Sequence, residues 1–340
     1  MRVDIRPLEN SDLPDAARLL ARRHRSHRSV FPELPADAES DETAEAFLSA
    51  VLGREGCAGW GAFNGTQLQA YLIGETETAP LWGRSGWIRA SGSAWTDDSE
   101  LAHIPALYAR LAEGWVSSEI FAHFAFVPAS EPVALRAWFG LAFGIEHVHA
   151  VLDLRSLALP DLLAPVGVTI RLATDDDRGA LAQMSDVVWR HQLEAPVWAA
   201  MLPESAEANR AGWLELLDDP TVDVWLALEQ GEPVASQAYY PSEMSGEHLL
   251  GGDSTCHLAI AGTRPDARGR GIASALTRAG LEHARRRGFA FCETDWRSTN
   301  LLSSRFWPRF GFRPAFYRLH RRVDDRIAWA NGERPRSGAS

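Results

Sequence analysis

The chain has 340 residues, 46% of them hydrophobic, and a formal net charge of −11. A chain of this length and composition can bury large cores and favours two domains of ordinary size. No apolar run reaches the ~18 residues that a membrane span requires, and the first residues do not lead into the apolar core of a signal peptide. The acidic balance would repel phosphate backbones. We therefore expect neither a membrane nor a nucleic-acid partner.

The cysteines indicate the redox setting of the protein. Cys57, Cys256 and Cys292 lie far apart in the sequence. Their odd number and their spacing favour neither a disulfide framework nor a zinc site. We therefore expect a cytoplasmic protein in a reducing compartment, with no bound metal.

Two landmarks recur along the chain at nearly the same interval. A short strand that runs into a capped helix is predicted at Val3–Pro7 and again at Val168–Leu172, 165 residues later. An aromatic-glycine turn occurs at Gly144 and again at Gly311, 167 residues later. Two landmarks at almost one period indicate an internal duplication.

Each half also contains predicted strands between its landmarks. Apolar runs broken by Asn-Gly or Gln-Gly indicate one β-hairpin in each half. The paired runs are Cys57–Phe63 with Leu68–Gly74, and Val222–Leu228 with Val234–Tyr240. Further strands are predicted in the first half at Gly92–Trp95 and Ala122–Val127. The sequence therefore predicts an α/β (α+β) fold, in which each half is a mixed, mostly antiparallel sheet flanked by helices.

The stretch between the halves predicts the domain boundaries. Leu157–Val166 contains Pro160 and Pro165, which would interrupt a helix or a central strand. We predict a first module at 1–156, a linker at 157–167, a second module at 168–329 and a disordered tail at 330–340.

The stretch from Thr255 to Gly288 predicts a binding site. It comprises an apolar strand, a turn containing Gly269 and Gly271, and a helix of apolar periodicity. A glycine turn at a helix N-terminus leaves backbone N–H groups free to bind an anion. The turn lacks the Gly-Lys-Ser/Thr of a nucleotide triphosphate loop and the third glycine of a dinucleotide site.

This stretch resembles the GNAT superfamily of N-acetyltransferases. Arg268-x-x-Gly271-x-Ala273 fits the family signature, and the later order of a strand, Asn300, a short helix and Phe310-Gly311-Phe312 is similar to the family's order. The resemblance implies an acetyl-CoA-dependent N-acetyltransferase in which loop amides hold the pyrophosphate. The implied cofactor-binding residues are Ala261, Gly262, Thr263, Arg268, Gly269, Arg270, Gly271, Ile272, Ala273 and Asn300.

The catalytic groups are less well defined by the resemblance. We call the glycine turn at Gly269 and Gly271 the cradle. The family often keeps a base on the strand before it, where His257 stands. A structural core histidine is the alternative interpretation of His257. At the position of the family's acid, a tyrosine, this chain has Trp307, whose indole cannot give up a proton near neutral pH. Tyr317, or solvent, would have to supply that proton.

Charge distinguishes the two halves. Residues 264–326 contain 15 arginines against six acidic residues, which gives the predicted cradle a positive field. The first half has the acidic run Thr96–Glu100 in the corresponding region. We therefore predict that the first half is a degenerate module, which covers the sheet edge of the second half and walls its cleft. One chain should bind one acetyl-CoA.

The acceptor is predicted from charge alone. Val168–Trp225 carries 11 acidic residues against four arginines, which would attract a cationic amine; solvated helix faces are the alternative interpretation. The predicted function is acetyl transfer to a small-molecule amine. A catalytically silent CoA sensor or protein-interaction module is the competing hypothesis. A homodimer and an acyl group larger than acetyl stay open.

Overall fold

The computed structural model describes residues 3–157 and 164–330. The first half begins with a short strand and two helices, continues with a run of strands, and ends with a long strand. Its elements are β1 (Asp4–Pro7), α1 (Leu13–Val30), α2 (Asp41–Leu52), β2 (Ala58–Asn64), β3 (Gln67–Ala79), β4 (Gly83–Ile88), β5 (Ser93–Trp95), α3 (Ile104–Ser117), β6 (Ala122–Pro128), α4 (Pro132–Phe139) and β7 (Gly144–Asp153).

The second half follows a similar order, with a third helix after its first strand and no counterpart of β5. Its elements are β8 (Val168–Leu172), α5 (Arg178–Met184), α6 (Val187–Gln192), α7 (Pro203–Glu215), β9 (Asp223–Glu229), β10 (Glu232–Pro241), β11 (Thr255–Thr263), α8 (Ile272–Arg286), β12 (Phe291–Arg297), α9 (Leu301–Phe306), β13 (Arg313–Arg322) and α10 (Ile327–Ala330). The predicted fold class is confirmed, as are both hairpins and the duplicated order of elements. Strand β4 was not predicted, because two glycines and an arginine interrupt its apolar pattern.

The strands of both halves form one continuous sheet. Their order is β1-β2-β3-β4-β6-β13-β7-β12-β11-β10-β9-β8, and β5 also pairs with β3. The last strand of each half has therefore crossed into the other half. Strand β7 pairs with β12, and β13 pairs with β6. The two exchanged strands also pair with each other.

The exchange merges the hydrophobic cores as well as the sheet. Phe316 on β13 is fully buried in the core of the first half. Ala150 and Leu152 on β7 are buried in the core of the second half. Truncation of a buried Phe to Ala costs about 3–5 kcal/mol, so these strands contribute substantially to the half that receives them. The predicted role of the first half in covering the sheet edge of the second is confirmed.

Each half contains a pair of parallel strands that separate. Strands β4 and β6 pair over Ser85–Ile88, and β11 and β12 pair over Thr255–Leu258. Beyond these residues the two strands of each pair no longer bond to each other. The fold therefore contains two wedges, one in each half.

The wedge of the first half is closed by a loop from the second half. The amides of Ala90 and Ser91, just past the end of β4, donate to the carbonyls of Glu247 and Gly246 at 3.0 Å and 2.9 Å. The next residues of the loop, Leu249 and Leu250, are buried in the first core. Two backbone amides at the β4 end of this wedge are thus already paired.

The remaining observations concern burial, membrane spans and the predicted boundaries. The tryptophans of the first half lie in its cores or pack against them. No helix among the described residues is long and apolar enough to cross a membrane. The module boundaries at 1–156 and 168–329 stay predictions. Residues 158–163 of the proposed linker and 331–340 of the proposed tail lie outside the described residues.

Candidate active site

A cavity of about 780 Å³ lies in the wedge of the second half. It extends between the separated ends of β11 and β12 and is bordered by α6, α7, α8 and α9. Nine of the predicted cofactor-binding residues line it, namely Ala261, Gly262, Thr263, Arg268, Gly269, Gly271, Ile272, Ala273 and Asn300. Three predicted site residues, Arg270, His257 and Tyr317, are not among its lining residues.

The glycine turn has the geometry of an anion cradle. Gly269 and Gly271 adopt positive φ angles of 74° and 82°, which an L side chain rarely adopts. Gly271 is the residue before α8, and no side chain caps this helix. Among the described residues, the amides of Gly269, Arg270 and Gly271 have no hydrogen-bond partner. Free amides beside the positive end of a 15-residue helix form a site for a phosphate group.

Some of the arginines near the cradle already form bonds within the protein. Arg268 borders the cavity, and its Nε donates to the carbonyl of Thr263 at 3.1 Å, which leaves its two terminal nitrogens available. Arg270 instead pairs with Glu229, with Nη1 2.9 Å from Oε2. Arg287 pairs with Asp223 at 2.6 Å. Arg305 and Arg309 also line the cavity, so the positive field predicted from the sequence rests there on these two arginines, on Arg268 and on the helix terminus.

The edge of β11 that faces the cavity is open. Ala259 lies at an irregularity in the register between β10 and β11, and from Ile260 onward β11 pairs only with β10. Because N–H groups alternate between the two edges of a strand, some of those between Ala259 and Thr263 point away from β10 and have no strand partner. These groups can donate to an extended ligand or to a carbonyl oxygen.

The start of α9 borders the cavity opposite the cradle. Asn300 caps this helix, since its Oδ1 accepts from the amides of Leu302 and Ser303 at 3.2 Å and 3.3 Å. Trp307 also lines the cavity and is buried. The structure thus places an indole, which has no dissociable proton near neutral pH, at the wall where the family resemblance implies a tyrosine.

A carboxylate between two histidines lies beside the wedge. Asp295 on β12 lines the cavity, and its Oδ2 lies 3.1 Å from Nε2 of His257. Its Oδ1 lies 2.6 Å from Nε2 of His147, which comes from β7 of the first half and also lines the cavity. Burial opposes ionisation of Asp295, but the two imidazoles outweigh it and hold its pKa well below the usual range.

The predicted base, His257, has acidic neighbours on β12 that raise its pKa. Burial alone would lower the pKa of His257, but the hydrogen bond to Asp295 and the charges of Glu293 and Asp295 raise it above its ordinary value. Glu293 is the register partner of His257 on β12 and accepts a hydrogen bond from Ser242. Burial raises the pKa of Glu293. His257 is thus a polar, charge-coupled residue and not an isolated core histidine.

A second polar cluster adjoins His147. Glu146 accepts from Nη1 of Arg297 at 2.6 Å and from Nε of Arg318 at 2.7 Å. These arginines come from β12 and β13, on either side of β7. Burial opposes ionisation of Glu146, but the arginines hold its pKa below the usual value. The cluster therefore joins both exchanged strands to the wall of the cavity.

Sequence reasoning missed His147 and Asp295. Asp295 lies between Asn300 and the strand predicted before it, where an acidic residue beside an apolar strand could have been noted. His147 and His149 alternate along β7, which also indicates one strand face. Nothing in the sequence indicated that this face would lie against the second half, because the exchange of strands leaves no local pattern.

The remaining predicted groups lie elsewhere. Tyr317 on β13 is half-buried between Val127 and Val148, and burial raises its pKa. None of the 11 acidic residues between Val168 and Trp225 is among the lining residues of the cavity. From that segment the cavity receives neutral or apolar side chains, which include Val188, Trp189 and Asn209.

Comparison with known proteins defines the class. Residues 188–312 match the profile of the Acetyltransferase (GNAT) family. The second half of the chain therefore matches the GNAT acetyltransferase family, and the duplicated order of elements fits a tandem arrangement. The predicted family is confirmed.

Individual relatives are similar along most of the chain. A mycothiol acetyltransferase from Nocardia farcinica is 25% identical over 206 residues, which are 60% of this chain and 64%, less than two thirds, of that protein. A GCN5-related N-acetyltransferase from Sphaerobacter thermophilus has a TM-score of 0.62 at 17% identity, covering 94% of this chain and 95% of the other. A tandem GNAT protein from the clavulanic acid biosynthesis pathway has a TM-score of 0.54 at 14% identity, covering 95% and 99%. The two structures show the shared fold.

Proposed function

We propose that the second half binds acetyl-CoA and transfers its acetyl group directly to an amine. The observation that carries this proposal is the continuity of one cavity from the glycine turn, with its free amides, to the open edge of β11. The amides at Gly269 and Gly271, together with Arg268, would hold the phosphates. The extended arm of the ligand would lie along Ala259–Thr263.

The site residues would polarise the thioester carbonyl and accept a proton from the amine. A free amide of β11 near Ala261 to Thr263 would donate to the thioester carbonyl, whose oxygen gains charge as the amine attacks. Asp295 and its two histidines supply the polar groups that can accept a proton from the amine. Acetyl-CoA contributes the activated acyl group.

The acceptor is proposed to be a small cationic amine. Asp295 is the carboxylate that lines the cavity among the described residues, and its side chain is 31% exposed. A carboxylate in such a position would favour a cationic acceptor over an anionic one. The acidic segment at Val168–Trp225, from which a cationic acceptor was predicted, does not supply this support, because its acidic residues do not line the cavity.

Trp307 favours a second candidate function. A wall that has an indole in place of a proton donor would also suit a protein that binds CoA without turnover. Tyr317 does not line the cavity, so solvent would have to protonate the departing thiolate if the protein is active. The competing candidate is therefore a silent CoA-binding module.

Calorimetric titration with acetyl-CoA, followed by a thiol-release assay over a panel of amines, tests both candidates. We expect binding and thiol release that depends on the amine. The panel should contain polyamines, aminoglycosides and acidic amino acids at low and high salt. Binding without release for any amine would favour the silent module, and an absence of binding would contradict both candidates. A preferred anionic acceptor would contradict the proposed acceptor class.

A further inference from the structure

The 15 arginines between residues 264 and 326 divide into two groups by their partners. Nine of them form an ion pair with an acidic residue. The six without an ion pair among the described residues are Arg268, Arg285, Arg286, Arg305, Arg309 and Arg321. Arg268, Arg305 and Arg309 line the cavity. Half of the unneutralised cations of this segment therefore border the proposed site.

The side chains of Arg305 and Arg309 make no contact that would occupy their charge. In the described part of the chain, neither guanidinium takes part in a hydrogen bond, an ion pair or a ring contact, and both residues are exposed. They lie four positions apart, on α9 and on the single 3₁₀ turn that continues it at Trp307–Phe310. Like charges on adjacent helical turns repel each other, so an anion bound between them would be stabilising.

The cradle accounts for only part of the charge on acetyl-CoA. This ligand carries a pyrophosphate and, on its ribose, a separate 3′-phosphate. The free amides of Gly269 and Gly271, together with Arg268, suit the pyrophosphate. Arg270, the other cation of the turn, is already paired with Glu229. The 3′-phosphate is a monoester, which brings a further charge of about −1.5 to −2 near pH 7 and three acceptor oxygens.

The α9 wall suits this further phosphate. A single ribose separates the 3′-phosphate from the pyrophosphate, so the two groups must bind near each other in one cavity. The cradle and the two arginines of the α9 wall border the same cavity. Guanidinium groups bind phosphate oxygens in a planar, bidentate geometry, and two of them match the charge of a monoester.

Arg305 and Arg309 differ in what else they border. Arg309 also lines a second cavity of about 550 Å³, whereas Arg305 is not among the lining residues of that cavity. Arg305 is therefore expected to contribute more to a ligand in the first cavity than Arg309 does.

From these observations, and resting on the proposed function, we propose that Arg305 and Arg309 bind the 3′-phosphate of acetyl-CoA. The protein thereby distinguishes thioesters of CoA from those of dephospho-CoA. The contact is made at the nucleotide end of the ligand and not at the thioester. It therefore acts on the affinity for the acyl donor and leaves the acyl-transfer step unchanged.

Calorimetric titration of the full chain with acetyl-CoA and with acetyl-dephospho-CoA, which lacks only the 3′-phosphate, tests the proposal. We expect the wild type to bind acetyl-dephospho-CoA about tenfold more weakly. This is the lower end of the range for a hydrogen bond between charged groups, because both arginines are exposed. Higher salt should reduce the preference.

Variants assign the preference to the two arginines. Arg305→Gln should bind acetyl-CoA more weakly with little change toward acetyl-dephospho-CoA, and Arg309→Gln should show a smaller effect. The double variant should bind both ligands equally. Each variant is compared with itself on two ligands, so a partial loss of folded protein affects both titrations alike.

Arg285→Gln is the matched control. Arg285 is likewise exposed and forms no ion pair with any described residue, but it lies near the end of α8 and does not line the cavity. The change removes the same charge from the same segment. It should keep the tenfold preference, because the proposed contact is local and not an effect of the overall field.

The outcomes separate this inference from the proposed function. Equal affinity of the wild type for both ligands, a preference that survives in the double variant, or an equal loss of preference in Arg285→Gln overturns the inference alone. A raised KM for the amine in Arg305→Gln, with the preference unchanged, assigns the arginine to an anionic group of the acceptor and also overturns it. A wild type that prefers acetyl-CoA but acetylates no amine overturns only the proposed function.

Discussion

Substitution of Gly271 tests whether the glycine turn holds phosphate. This residue has a φ of 82°, and a β-carbon placed on it would meet no protein atom within 4 Å. The change Gly271→Ala therefore introduces no clash within the protein. It adds a methyl group to a turn whose amides are free, and it imposes the cost of a left-handed conformation on an L residue.

Two contributions set the expected losses of stability and of acetyl-CoA affinity in Gly271→Ala. The left-handed conformation costs about 1–2 kcal/mol for a residue with a side chain, which lowers stability whether or not ligand is present. Loss of one hydrogen bond between an amide and a charged phosphate removes about 1.5–3 kcal/mol of binding free energy. Since 1.4 kcal/mol corresponds to a tenfold change, acetyl-CoA should bind roughly 10- to 150-fold more weakly.

Gly288 provides a matched control at the other end of the same helix. It has a φ of 99°, and a β-carbon there would also meet no atom within 4 Å. The change Gly288→Ala imposes a similar conformational cost far from the turn. Both variants should melt at lower temperature, by no more than about 2–4 °C per kcal/mol.

Calorimetric titration of both variants with acetyl-CoA separates the two contributions. We expect weakened binding in Gly271→Ala and unchanged binding in Gly288→Ala. Equal affinity of both variants and the wild type, with the fold intact, would refute the assignment of the turn as the phosphate site. Equal weakening in both would show that stability, and not the turn, controls binding.

Two further predictions follow from the wedges and from the histidine pair. Titration should give one acetyl-CoA per chain, because the loop at Gly246 and Glu247 closes the first wedge; a ratio near two would contradict this. His257 has a raised pKa in the folded protein, so its contribution to stability should be full below its ordinary value of about 6.5 and should be lost as pH rises through the folded value. The melting temperature of the wild type should therefore fall more steeply over this range than that of His257→Gln; parallel curves would count against the coupling to Asp295.

The glycine turn and its flanking elements could be predicted because their signals are local. A strand that ends before Pro265, a turn that requires positive φ and a helix of apolar period are each set by neighbouring residues. The duplication was predictable for the same reason, since each half carries its own landmarks. Local signals therefore sufficed for the fold class and for the cradle.

The contact between His147 and Asp295 could not be predicted, because it depends on the pairing of distant strands. His147 and Asp295 are separated by 148 residues and meet only because β7 pairs with β12. A strand pairs through backbone groups that every residue carries, so the sequence of β7 does not specify its partner. Charge was misleading for a related reason: Arg270 counted toward the positive field, but it pairs with Glu229, 41 residues earlier.

The exchange of β7 and β13 also bears on how such a chain can change over time. In a tandem protein whose halves are separate, a half without its own ligand site could be lost or replaced with little effect on the other. Here the first half supplies a strand to the second sheet, side chains to its core and a wall residue to its cavity. Removal of either half would therefore leave the other without a strand of its sheet and without part of its core.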